Sequence, residues 1–292
     1  MDRSRMEEHR RKWIPRLLLS AAFWLAFVAP HDGGETKVSR AERDQNGVLV
    51  HQVKSDFQTE TTTIRVLLPE GMQRGERYRV VYLLPVEAAA QSRYGDGLRE
   101  AAKLGLHNTH NLICVAPTFS QLPWYADHPT DAGIRQETYF VKVVVPFIER
   151  TYPAINKRAG RLLAGFSKSG WGAYSLLLRH PDTFERAAAW DAPLMMQRPG
   201  KYGNGPIFGT PENFEAYRVT SLLRKNAELL RGKPRFVLTG YGNFRSEHVQ
   251  AHDLMRELAI SHVYRDGPRK KHHWNSGWLA EAVELLVSGS DP

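Results

Sequence analysis

The sequence predicts an α/β protein: a doubly wound, mostly parallel sheet with a leading antiparallel hairpin and helices on both faces. Three observations predict it. Short apolar runs of strand length alternate with longer runs of helical periodicity from about residue 78 to the C-terminal region. Ahead of them, residues 48–53 and 61–68 alternate apolar with polar in the manner of half-buried antiparallel strands. A Gly-rich turn, Gly165-Phe166-Ser167-Lys168-Ser169-Gly170, then joins an apolar run directly to a helical one, as in a strand–turn–helix unit.

The elements follow in order. After the hairpin, Pro69-Glu70-Gly71 marks a turn, and the strongly apolar run 78–84 reads as a central strand. Residues 97–104 are helical and 112–116 form the next buried strand. An irregular, aromatic stretch occupies 117–133, and an amphipathic pattern over 136–152 predicts one long helix. Strand 162–164 precedes helix 171–178, and strand 186–190 ends at Asp191. Residues 192–213, rich in Gly and Pro, read as a loop insertion. Helix 221–230, strand 235–239, helix 247–259, a short strand 262–264 and a final helix 278–287 complete the chain. Ligands on such sheets bind at the carboxyl ends of the strands, where Ser167 and Asp191 both fall.

Apolar residues make up 42% and charged residues 24% of the 292, which supports a large packed core and argues against a disordered chain. One cysteine, Cys114, rules out an intrachain disulfide framework; its apolar neighbours mark it as a buried structural thiol. The net charge is +9, and residues 1–16 carry six basic side chains against three acidic ones. No nucleic-acid-binding module accompanies the charge, so nucleic acid is not an expected partner. The basic start leads into an apolar run over 17–30, the pattern of a secretory signal, with an uncleaved membrane anchor as the alternative. Residues 31–46 read as a polar linker and 47–292 as one domain, with membrane contact expected only through the N-terminal segment.

A serine on a tight strand-to-helix turn is lifted from the sheet and placed beside the first free N–H groups of the helix, the arrangement of a nucleophile elbow. Ser167 holds that position; Ser169, within the first helical turn, suits capping or packing. A serine needs a base, and the base needs an orienting acid. The loop ahead of the last helix offers His272 and His273, with His272 favoured. For the acid, an aspartate is expected just past strand 235–239, near Asn243, and none is there. Asp191, at the end of strand 186–190, is favoured; Glu247 is the alternative and also suits the start of a helix. The oxyanion hole needs two N–H donors. Lys168 supplies one, and because Pro85 has no N–H, Val86 or Glu87 must supply the other. Trp124, Tyr125 and Asp127 are candidates for a substrate cleft. His248 and His252 share a helical spacing that can hold a metal, but without a third ligand they read as paired surface histidines and no metal is expected.

Several stretches resemble the α/β-hydrolase superfamily, specifically the Putative esterase group that includes esterase D, feruloyl esterases and mycobacterial mycolyltransferases. They are Val80-Val81-Tyr82-Leu83-Leu84, Val115-Ala116-Pro117, Trp124-Tyr125-Ala126-Asp127, Ala164-Gly165-Phe166-Ser167 with Gly170-Trp171-Gly172-Ala173, and His272-His273-Trp274. The last resembles that family's His-x-Trp motif, which points to His272 over His273. The resemblance implies an α/β-hydrolase fold and hydrolysis of a small-molecule or carbohydrate-linked carboxylic ester through an acyl-serine. It also implies no metal or organic cofactor. The chain departs from the pattern where Pro85-Val86 replaces His-Gly, where Ser169 replaces Gly, and where Asn243 replaces Asp. The rival expectation is a catalytically silent α/β-hydrolase used to bind carbohydrate or protein.

Overall fold

The computed structural model describes residues 24–27 and 35–288. Eleven strands form one sheet: β1 (Trp24–Phe27), β2 (Thr36–Ser39), β3 (Glu42–Arg43), β4 (Leu49–Ser55), β5 (Thr62–Leu67), β6 (Arg79–Leu83), β7 (Leu112–Pro117), β8 (Arg161–Phe166), β9 (Arg186–Trp190), β10 (Phe236–Tyr241) and β11 (His262–Arg269). Their order is β1-β2-β4-β5-β7-β6-β8-β9-β10-β11, with β3 beside β4. From β7 to β11 every pair is parallel, and on the β1 side every pair is antiparallel, including β5 with β7. The helices are α1 (Gly97–Lys103), α2 (Leu106–Thr109), α3 (Gln136–Tyr139), α4 (Val145–Thr151), α5 (Lys168–Arg179), α6 (Gly205–Phe208), α7 (Pro211–Tyr217), α8 (Val219–Lys225), α9 (Arg245–Glu257) and α10 (Trp278–Ser288). This is an α/β-hydrolase fold.

Alternate residues of the central strands face opposite layers, as the two-residue period of a strand requires. Val80, Tyr82 and Leu163 pack with Trp171, Tyr174 and Leu177 of α5, whereas Val81, Leu83, Leu162 and Ala164 pack with Leu98, Trp278 and Val283. Helices α1, α2 and α10 thus cover one face, and α5 with its neighbours covers the other.

Four expectations change. The leading hairpin is present as β4 and β5, but the stretch read as a polar linker contributes β2 and β3. Its polar Thr36 can be buried because it pairs with a polar residue of β4: Thr36 Oγ1 lies 3.0 Å from Ser55 Oγ. The single helix expected over 136–152 is broken by a π-turn at Phe140–Val144. Pro146 explains the break, because without an N–H it cannot donate to the carbonyl four residues back. The loop expected over 192–213 contains α6 and the start of α7. Strand β11 also runs on to Arg269, five residues beyond the expected end. The signal or anchor reading of residues 1–30 lies outside the described residues, apart from Trp24–Phe27, which pair with β2. Among the described residues no helix is long and apolar enough to cross a membrane.

One buried polar cluster ties α3, α5 and α7 together. Glu137 accepts from Arg179 Nε at 2.7 Å and Nη2 at 3.0 Å, from Tyr217 Oη at 2.8 Å, and contacts His180 Nε2 at 2.6 Å. Burial raises its pKa, but the hydrogen bonds and charges of His180 and Arg179 outweigh burial and bring it to about 2. A depressed carboxylate pKa stabilises the fold above its ordinary value of 4.5, and that contribution is lost as pH falls toward about 2. Glu137→Gln is therefore expected to lower stability by ~2 kcal/mol at pH 7 in urea titration, with the gap to wild type closing between pH 4.5 and 2.

Candidate active site

Three strand ends build the site. Strand β8 ends at Phe166, and Ser167 then adopts φ 53° and ψ −134°, outside the allowed regions for an L-residue. The turn closes because Gly165 has no side chain: a Cβ there would lie 2.4 Å from the Ser169 carbonyl oxygen. Ser169 is fully buried and its hydroxyl is spent on the same turn, donating to Phe166 O at 2.8 Å and accepting from Phe166 N at 3.1 Å. It stands where a glycine is usual and closes the elbow from inside.

In the parallel register of β8 with β9, Phe166 pairs with Trp190. Ser167 therefore lies beside Asp191, and the Ser167 N–H donates to both Trp190 O (3.2 Å) and Asp191 O (3.1 Å). Asp191 is 2% exposed, and its Oδ2 lies 2.5 Å from His272 Nδ1. Its Oδ1 accepts from the backbone N–H groups of Asn243 at 2.6 Å and Phe244 at 2.8 Å. Burial raises the Asp191 pKa, but the His272 bond and the backbone donors of 242–244 outweigh burial and hold the carboxyl ionised below its ordinary range. A side chain at position 242 would meet Asp191 Oδ2 at 2.6 Å, so only glycine lets this loop approach the acid. The imidazole of His272 packs edge-on against Phe166 and Tyr94, at centroid distances of 5.1 and 5.4 Å, and meets the Phe244 ring at a tilt at 5.9 Å.

Ser167, Lys168 and His272 line one cleft of about 350 Å³, together with Tyr94, Trp124, Tyr202 and Phe244. The model of the family described as Putative esterase matches residues 55–221. This chain belongs to that esterase family. Esterase Rv1288 of Mycobacterium tuberculosis is 27% identical over 141 residues, covering 46% of this chain and 30% of the relative. The chain thus spans less than a third of the length of the curated relatives it matches. Among solved structures, a ferulic acid esterase has a TM-score of 0.64 at 19% identity, covering 85% of this chain and 97% of its own. A Staphylococcus aureus fluorophosphonate-binding serine hydrolase has a TM-score of 0.63 at 15% identity, covering 89% and 100%.

The other residues singled out in this esterase-family chain lie elsewhere. Glu247 is engaged by the Met195 N–H at 2.7 Å and makes no contact with His272. His273 turns away, packs on Gly95 and lets its ring nitrogen accept from Asn275 N at 3.2 Å. Tyr125 is fully buried beneath the cleft, with its hydroxyl donating to Pro85 O at 2.6 Å. Asp127 binds Thr138 and Arg135 at the start of α3 instead of lining the cleft. Val86 and Glu87 are buried and line a neighbouring cavity; the Val86 carbonyl accepts from Nζ of the cleft residue Lys168 at 3.0 Å. His252 Nδ1 lies 2.8 Å from His262 Nε2, and among the described residues no group of three His, Cys, Asp or Glu could hold a metal.

His248 is the residue whose place the sequence hides. It reads as a surface histidine, yet it is 2% exposed and its Nε2 accepts from Ala192 N at 2.8 Å, propping the turn that carries Asp191. Burial pushes its pKa down to about 4, so it is a neutral acceptor. The unfolded chain takes up this proton first, and stability should fall as pH drops from 6.5 toward about 4. His248→Gln keeps an acceptor but cannot titrate; thermal denaturation across that pH range should show a shallower loss for the variant than for wild type.

Proposed function

We propose that this protein is a serine esterase that cleaves a carboxylic ester through an acyl-serine intermediate. The observation that carries this reading is the 2.5 Å contact of His272 Nδ1 with a buried, ionised Asp191, beside a serine forced into an elbow in the same cleft. Asp191 fixes the tautomer in which Nδ1 bears the proton and Nε2 is free to act as base. Ser167 Oγ attacks the acyl carbon as its proton passes to His272 Nε2, giving a tetrahedral oxyanion. The ester C–O bond then breaks, and the alkoxide leaves with the proton from His272. Water repeats the sequence on the acyl-serine and releases the acid. The side-chain hydrogen bond of His272 goes to Asp191, and the contact of its other ring nitrogen with Ser167 Oγ is of the kind that tightens when substrate binds.

The oxyanion is assigned to the N–H of Lys168, which as the first residue of α5 has no intrahelical acceptor, and to that of Val86. Across a trans peptide the N–H points opposite the carbonyl, so the Glu87 N–H is directed away from the Lys168 ammonium that holds Val86 O. The location of Val86 and Glu87 outside the cleft lining favours the alternative of a catalytically silent binding protein. Support for the enzyme also comes from the named activities of the neighbouring serine hydrolase and ferulic acid esterase folds. The basic and apolar pattern of residues 1–30 supports export, which cell fractionation tests: cytoplasmic retention would refute it.

A fluorophosphonate probe separates enzyme from binder. Labelling is expected in wild type and in Ser169→Ala, and should vanish in Ser167→Ala; an unlabelled wild type would favour the binder. Asp191→Asn should lower kcat on a 4-nitrophenyl ester by about 10⁴, whereas Glu247→Gln should change it less than about threefold.

A further inference from the structure

The cleft holds a cation that its own walls do not neutralise. Lys168 follows the serine directly, lines the cleft, and is held half-buried with its Nζ 3.0 Å from the neutral Val86 carbonyl. An ammonium has three protons to donate, and this bond uses one of them. Among the described residues no carboxylate forms an ion pair with it. The acids nearby are occupied: Asp191 holds His272, Glu247 takes the Met195 N–H, and Glu87 accepts from Tyr94 N at 3.0 Å. Burial lowers the Lys168 pKa, and the charge of Glu87 opposes this without outweighing it. Two further cations adjoin residues at or next to the cleft lining: Arg93 lies 5.3 Å over the Tyr94 ring, and Arg269 Nε is 2.9 Å from the carbonyl of Gly242, next to Asn243. A half-buried cation bonded only to a neutral group has lost part of its hydration without gaining a counter-charge, a cost that a bound anion offsets.

We propose that Lys168 makes this cleft selective for esters that carry a carboxylate within the reach of a lysine side chain from the scissile carbonyl. The proposal rests on the serine esterase reading and adds the class of substrate. The carboxylate can belong to the acyl or to the alcohol half of the ester, since either flanks the carbonyl attacked by Ser167. The aromatic walls of Tyr94, Trp124, Tyr202 and Phe244 receive the apolar remainder.

The test compares matched esters that differ in charge. For the acyl half, mono-4-nitrophenyl adipate is set against 4-nitrophenyl hexanoate; for the alcohol half, 3-acetoxybenzoate is set against its methyl ester. Wild type should favour the charged member of at least one pair by about tenfold in kcat/KM, chiefly through KM, equivalent to ~1.4 kcal/mol. The pair that shows the preference identifies the half that bears the charge. Lys168→Met should bring the ratio to within about twofold of one, and Lys168→Arg should retain the preference. Because the ratio is internal to each protein, a general loss of activity in Lys168→Met does not move it. A wild-type ratio near one for both pairs, or a ratio unchanged in Lys168→Met, overturns the proposal. If wild type hydrolyses none of these esters, the esterase reading fails by itself. Calorimetric binding of monomethyl adipate to Ser167→Ala, lost in the Ser167→Ala/Lys168→Met double variant, would then still support anion recognition. No binding would refute it.

Discussion

The site depends on one backbone constraint: Ser167 held at φ 53° where β8 turns into α5. For an L-residue that conformation costs on the order of 1–3 kcal/mol and persists only where the surroundings enforce it. They do so from three sides. The Ser167 N–H is shared between two carbonyls of the β9 end, the Ser169 hydroxyl closes both backbone groups of Phe166, and the Gly170 and Trp171 N–H groups bond Ser167 O. The strain is therefore tied to strand register. Because β8 and β9 pair in parallel with Phe166 opposite Trp190, the residue lifted off one strand is adjacent to the acid that ends the next.

That adjacency explains how a buried carboxylate serves a histidine 81 positions away in the chain. Asp191 is shielded from water, yet it is surrounded by backbone donors of residues 242–244, just past β10, and by His272, and these keep it charged. The end of β10 contributes N–H groups from 242–244 where an acid is usual, so Asn243 takes part through its backbone rather than its side chain. His248 supports the same turn from the core side as a neutral acceptor. Histidine, aspartate and serine are thus positioned by strand ends and a packed second layer, not by flexible loops alone.

Much of this was legible in the sequence, and the limits have physical causes. The elbow was readable because its glycines and small residues serve a local turn that involves neighbours in the chain. The order of strands and helices was readable from periodicity. Asp191 was legible as the favoured acid, but its choice over Glu247 depends on which strand end lies beside the His272 loop, a matter of tertiary register. His248 was misread for a similar reason: an isolated histidine on a polar helix carries no sign that a turn 56 residues away needs its lone pair. In sequence Tyr125 and Asp127 read as cleft residues because an aromatic-polar stretch at a strand end resembles a binding loop. In the fold one supports Pro85 and the other braces α3. The π-turn in the 136–152 segment was marked by Pro146, whose missing N–H outweighs an otherwise helical pattern.

Lys168 links the elbow with the turn that replaces the usual His-Gly, and it couples the charge of the cleft to the geometry around the serine. Whether this constellation works as one catalytic unit is tested most directly by a crystal structure of the protein after reaction with a diethyl phosphonofluoridate. The account predicts a single phosphorus–oxygen bond to Ser167 Oγ, a phosphoryl oxygen within 3.1 Å of the Lys168 N–H, and His272 Nε2 within ~3 Å of Oγ while Nδ1 keeps Asp191. Phosphonylation at any other residue, or a His272 that stays out of reach of the adduct, would contradict it.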